Sequence, residues 1–158
     1  MILAFYVYLQ SEFSLNKKKI YMYPPELVKP MKEELTTVGF EELLSKADVE
    51  KALSQKGTAL VLVNSVCGCA AANARPGARM SLANTKKPDH LFTVFAGVDR
   101  EATDKARAEM MPFPPSSPSM ALFKDGELVH MLERHHIEGR PAEMIADNLK
   151  QAYDEHCA

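Results

Sequence analysis

Two stretches of this chain are apolar without interruption and of strand length: Thr58 to Asn64 (Thr-Ala-Leu-Val-Leu-Val-Asn) and Leu91 to Val98 (Leu-Phe-Thr-Val-Phe-Ala-Gly-Val). Short runs without polar alternation belong to strands buried on both faces, so these two predict the centre of a sheet with helices on either side. Elsewhere the apolar positions fall at helical spacing. Leu27, Val28, Met31 and Leu35 predict a helix over 26–37, kinked or restarted at Pro30 and ended by Gly39. Leu43, Leu44, Ala47 and Leu53 predict an inward face for a second helix over 40–55, closed by Lys56-Gly57. The alanine-rich stretch 70–74 is a good helix former, and Pro76 and Gly77 inside that helix should kink it. Asp99 is the expected N-cap of a helix over 100–110.

In the second half, the proline and serine cluster from Pro112 to Pro118 reads as loop. Residues 119–123 predict a third strand, Lys124-Asp125-Gly126 a tight turn, and residues 127–132 its hairpin partner. Pro141 suits the start of a last helix to about His156, with Met144, Ile145, Leu149 and Tyr153 on one face. Parallel βαβ units followed by a hairpin and a closing helix give an α/β fold, a central mixed sheet of about four strands with helices on both faces. That element order is thioredoxin-like, and it fills one domain over residues 22–158.

The segment ahead of that domain changes little. Residues 1–9 are nearly all apolar and Lys17-Lys18-Lys19 follows, but the run is far short of the roughly 20 residues a membrane helix needs. Its charges come after the apolar stretch, the reverse of a secretory signal. Residues 1–21 are therefore read as an extension, with Met22 as an alternative initiator, and the expected location is cytoplasmic. A net charge of -2, with no Trp and no basic stretch among aromatics, gives no case for nucleic acid or a membrane surface as partner. Three cysteines are too few for a disulfide scaffold in a chain of 158 residues, which invites a reactive or metal-binding reading of them.

The chemistry centres on Ser65-Val66-Cys67-Gly68-Cys69, where the first buried strand hands over to a helix. Free N–H groups and partial positive charge at a helix start favour thiolate over thiol. Cys67, at the tip, is the expected attacking sulfur, and Cys69 lies further into the first turn. Residues two apart do not share a helix face, so a Cys67–Cys69 disulfide must distort the turn, which Gly68 makes easier. A strained disulfide is readily reduced, which favours oxidising, isomerising or adduct-removing work over strong general reduction. Two other readings stand beside this one: inert buried thiols, or half of a metal site. For a metal, His130, His135, His136 and Cys157 are the candidate further ligands, but none falls at usual zinc spacing.

Pro118 is the second informative residue. A cis proline just before a strand would hold the backbone of Ser117 open to pair with an extended peptide beside the reactive sulfur, and fold order places Pro118 at the right strand. Cys157, near the end of the last helix, is either a third redox thiol or a small hydrophobe. His135-His136 is expected to face solvent, and the Glu and Lys residues between 26 and 56 read as solvated helix faces.

Together these runs resemble the bacilliredoxin family. The matching residues are Tyr23-Pro24-Pro25-Glu26-Leu27-Val28, Met31, Glu34-Leu35, Val63-Asn64-Ser65-Val66-Cys67-Gly68-Cys69-Ala70 and Ala74-Arg75-Pro76. Pro88-Asp89-His90-Leu91, Thr93-Val94-Phe95-Ala96-Gly97, Pro114-Pro115-Ser116-Ser117-Pro118-Ser119, Ile137-Glu138-Gly139 and His156-Cys157 continue the match. The resemblance implies a thioredoxin-like fold and thiol–disulfide oxidoreductase activity. It implies that Cys67 takes bacillithiol, or a similar low-molecular-weight thiol, from mixed disulfides on cytosolic proteins. Cys69 or a second small thiol then releases it. No bound cofactor and no metal are expected; the small thiol is a co-substrate. Disulfide isomerase or oxidase activity, or a metal-binding module built on the Cys-Gly-Cys pair, are the alternatives.

Overall fold

A computed structural model describes residues 22–158, so the reading of residues 1–21 as an extension lies outside the described residues. In chain order the elements are α1 (Pro25–Thr36), β1 (Glu41–Glu42), α2 (Lys46–Leu53) and β2 (Thr58–Asn64). A wide π turn (Ala70–Ala74) then runs into α3 (Arg75–Ser81). β3 (His90–Phe95), α4 (Arg100–Glu109), β4 (Ser119–Lys124), β5 (Glu127–Leu132), α5 (Arg134–Ile137) and α6 (Ala142–His156) complete the order.

The uninterrupted apolar run of β2 puts it at the centre of the sheet, whose order is β1-β3-β2-β4-β5. β1, β3 and β2 are parallel, while β4 and β5 run antiparallel to their neighbours. Alternate side chains of a strand point to opposite faces. Leu60 and Leu62 therefore join Leu35, Ala78, Ile145, Leu149 and Tyr153 on the side covered by α1, α3 and α6. Val61 and Val63 join Val49, Phe92, Ala102 and Ala106 on the side covered by α2 and α4. Each fully buried leucine or valine there contributes about 1.5–3 kcal/mol. The β4–β5 turn is Asp125-Gly126, both at positive φ, as a two-residue hairpin loop requires.

Several expectations are corrected. The sheet has five strands, because the stretch expected to open the second helix holds the short edge strand β1. Phe40 and Leu43 bury on opposite sides of the sheet, as residues three apart do in an extended chain and not in a helix. The helix starts only after Ser45, whose hydroxyl accepts from the Asp48 amide at 3.1 Å while the Asp48 carboxylate accepts from the Ser45 amide at 2.9 Å. Leu44 and Ala47, expected inward, are exposed, as are Leu27 and Met144. β3 ends at Phe95, whose carbonyl accepts from the amides of Val98 and Asp99 and turns the chain. Asp99 caps nothing with its side chain; its carboxylate accepts from Lys32 Nζ at 2.9 Å.

The prolines are absorbed without breaks. α1 passes through Pro30 as one helix, forfeiting a single bond at an exposed position. Ahead of Pro76 the chain widens: the Arg75 amide reaches back five residues to the Ala70 carbonyl, and α3 starts with Pro76 in its first turn. A proline has no N–H to donate and its ring crowds the carbonyl four residues back, which a widened turn accommodates. Gly77 then lets α3 touch α6, since a Cβ there would stand 2.7 Å from Ile145 Cγ2 and 3.1 Å from the Ala142 carbonyl.

Candidate active site

β2 delivers the cysteine pair to one end of the sheet. The Asn64 carbonyl accepts from the Ala96 amide at 2.9 Å, and beyond that bond the chain leaves the sheet through Ser65 and Val66. The Cys67 carbonyl accepts from the amides of Ala70 and Ala71 at 3.1 and 3.3 Å, so the helical path begins at the first cysteine. Both cysteines are free and half-buried, and Gly68 between them is exposed. Their difference lies in what they are bonded to.

Partial burial works against the Cys67 thiolate, but hydrogen bonds from the Cys69 thiol, the Ser65 hydroxyl and the Ala70 amide outweigh it. The Cys67 thiol is held below its ordinary pKa. The Ser65 donor is 3.2 Å from the sulfur. Cys69 is pushed the other way, by burial and then by the Cys67 sulfur as bonding partner and as like charge, with the Arg134 guanidinium pulling it back. The two thiols are therefore shifted apart, and Cys67 is the one that ionises first as pH rises.

Beneath the loop lies a buried charge. Arg75 is 2% exposed. Its Nη1 donates to Asn64 Oδ1 and to the Ser65 carbonyl, both at 3.1 Å, and its Nε donates to Glu34 Oε2 at 2.8 Å. Asn64 Oδ1 also accepts from the Ser65 amide at 2.9 Å. Three segments (α1, the end of β2 and α3) are fastened to one guanidinium at the residue that bonds Cys67. Glu34, read as part of a solvated face, is half-buried. Its position three residues after Met31, a carboxylate one helical turn from an inward position, is the signal that could have found it.

The loop before β4 meets the pair from the side. Ser119 pairs across from Val63, which sets Ser117 and Pro118 beside the start of the cysteine loop. The Ser117–Pro118 bond is cis, as expected. Pro118 is buried and Ser117 half-buried. The Ser117 carbonyl is occupied: Arg134 Nη1 donates to it at 3.2 Å. Arg134, which no local pattern singles out, begins α5 directly after the hairpin, and its charge acts on both cysteines.

The structure does not bring Cys157 to this site. It is buried, and burial pushes its thiol up despite a hydrogen bond with Thr58, the first residue of β2. Asn64 is the last residue of that strand, about 20 Å away at 3.3 Å per residue. His135 and His136 are exposed as expected, though within the one-turn helix α5. Among the described residues, Glu133, His135 and His136 have ligand atoms close enough together to hold a metal ion, and this group includes neither Cys67 nor Cys69. A cleft of about 700 Å³ between α1 and β1, around Lys32, holds neither cysteine. Among the described residues no helix is long and apolar enough to cross a membrane.

With the geometry in place, the comparisons with known proteins decide the family. A model of the family described as disulphide isomerase matches residues 23–157. A bacilliredoxin of Cytophaga hutchinsonii is 60% identical over 134 residues, covering 85% of this chain and 99% of that protein. A bacilliredoxin of Halalkalibacterium halodurans is 56% identical over 136 residues, covering 85% and 94%. The chain belongs to the bacilliredoxin family. As a family member it is a thiol–disulfide oxidoreductase. Among solved structures, a thioredoxin variant from Halobacterium salinarum matches with a TM-score of 0.52 at 18% identity, covering 74% of this chain and 89% of that one. Oxidised mitochondrial thioredoxin 3 from Saccharomyces cerevisiae matches at 0.50 and 15%, covering 77% and 98%. These two fix the thioredoxin fold.

Proposed function

We propose that the protein removes bacillithiol, or a similar low-molecular-weight thiol, from mixed disulfides on cytosolic proteins. Cys67 is the attacking sulfur and Cys69 the resolving one. The observation that carries this is the asymmetry of the pair: Ser65 Oγ donates to the Cys67 sulfur at 3.2 Å and the Cys67 thiol is held below its ordinary pKa, while Cys69 is pushed above its own.

In the first step the Cys67 thiolate attacks the small-thiol sulfur of the mixed disulfide. The bond from that sulfur to the client cysteine breaks, a bond to Cys67 forms, and the client leaves as a thiolate that takes up a proton. In the second step Cys69, deprotonated, attacks Cys67. The small thiol leaves, and an internal disulfide forms that a dithiol reductant must later open. Alternatively a second small thiolate attacks the adduct, leaving as the symmetric disulfide and freeing Cys67. Ser117 and Pro118 border the bound client.

The test is a single-cysteine client protein carrying the small thiol, followed by intact mass. Cys67→Ser is expected to abolish release, and Cys69→Ser to complete the first step and hold the adduct. Release by Cys67→Ser at the wild-type rate would sink the reading. The description of the matching family favours a second reading, rearrangement of protein disulfides through the same Cys67. Reactivation of a scrambled substrate separates the two.

A further inference from the structure

The peptide-pairing role expected for Ser117 needs its backbone carbonyl as an acceptor, and that carbonyl already accepts from the Arg134 guanidinium. The arrangement is built from both sides. The Arg134 amide donates to Ser116 Oγ at 3.3 Å, and Ser119 Oγ donates to the Ser116 carbonyl at 3.0 Å, which fastens α5 to the loop before β4. Arg134 Nε donates to Glu138 Oε2 at 3.2 Å. Among the described residues Nη2 has no hydrogen-bond partner, and the side chain is 44% exposed. A planar fork with one open edge, next to two sulfurs whose charge it feels, is suited to a carboxylate.

We propose that Arg134 is a specificity-determining residue: it binds the carboxylate of an acidic low-molecular-weight thiol joined to Cys67 while competing with an extended peptide for the Ser117 carbonyl. This rests on the thiol-removing reading above and names the chemical class of thiol the site prefers. Arg134 takes no part in bond exchange; electrons and protons move as already described. An extended chain must share the Ser117 carbonyl with the guanidinium, whereas a small acidic thiol needs no backbone bond there. Glu138 competes for the same guanidinium, so the preference is partly masked.

The experiment uses the full chain and one single-cysteine client loaded in turn with 3-mercaptopropionate, 2-mercaptoethanol or cysteamine, with first-step rates read by intact mass at low salt. Wild type is expected to remove the carboxylate adduct about two- to fivefold faster than the neutral one, with the cationic adduct slowest, as for a partly exposed ion pair. Added salt should shrink the ratio. Arg134→Met should abolish the order and Arg134→Lys should keep it in weakened form. Glu138→Gln should widen it, which keeps the proposal testable if Arg134→Met does not fold. Equal wild-type rates on all three adducts, or a carboxylate preference surviving in folded Arg134→Met, would overturn the proposal and leave thiol removal standing. Failure of wild type to release any of the three overturns both.

Discussion

The Arg75 guanidinium donates to the Ser65 carbonyl at 3.1 Å, and the Ser65 hydroxyl donates to the Cys67 sulfur at 3.2 Å. A fully buried charge thus fixes the residue that stabilises the thiolate, with Glu34 as its counter-ion. Arg75→Met should destabilise the fold by about 3 kcal/mol, because it leaves the Ser65 carbonyl without its guanidinium donor and Glu34 without its counter-ion. Denaturant midpoints check this. The double variant Arg75→Met with Glu34→Gln should recover part of the loss.

Alkylation against pH reads the two thiols separately. Cys67 is held below its ordinary value and Cys69 above its own, so in mass-resolved alkylation Cys67 should react first as pH rises. Ser65→Ala removes one donor to the thiolate. It should shift the Cys67 profile upward and slow its alkylation at neutral pH by about three- to tenfold. An unmoved profile would mean that the hydroxyl does not act on the sulfur.

Gly68 should matter only when the pair closes. Nothing lies within 4 Å of a Cβ built there, so Gly68→Ala should change the stability of the reduced protein by less than about 1 kcal/mol. It should slow formation of the Cys67–Cys69 disulfide, read as longer persistence of the small-thiol adduct on Cys67. Gly77 is the contrast. Gly77→Ala forces α3 off Ile145 and should cost about 1–3 kcal/mol by thermal or chemical unfolding.

Lys32 supplies a linkage between pH and stability. Its Nζ lies 2.7 Å from Glu42 and 2.9 Å from the nearly buried Asp99 carboxylate. Burial opposes its charge, but these two partners outweigh it and raise its pKa above the ordinary lysine value. A raised value stabilises the folded protein fully below the unfolded pKa, and that contribution is lost as pH climbs through the folded one. The stability gap between wild type and Lys32→Met should therefore be flat at neutral pH and narrow in alkali.

The parts of this fold that were legible in the sequence rest on unbroken patterns. The seven buried residues of β2 could only be a central strand, and Asp125-Gly126 between two apolar runs could only be a hairpin. β1 was hidden because Phe40 and Leu43 fit a helical spacing as well as an extended chain that buries on both sides of a sheet. Of the site, Cys67, Cys69 and Pro118 could be read from local order. Arg134 could not, since only the β4–β5 hairpin carries it to the cysteines. Arg75 escaped for another reason: in a helix of small residues it looks like a solvated cation, and its burial depends on Glu34 from α1, two helices earlier.

The remote position of Cys157 makes this chain its own gauge of opening. Two sulfurs are half-accessible in the native state, while the third, at the C-terminal end of α6 and packed near the start of β2, is buried and is reached by a labelling reagent only after that end of the helix opens. Counting two or three modified sulfurs per molecule therefore sorts native from opened chains in a single mass spectrum. The rate at which the third label appears, set against that of an unfolded thiol, measures the free energy of opening at that end of the helix.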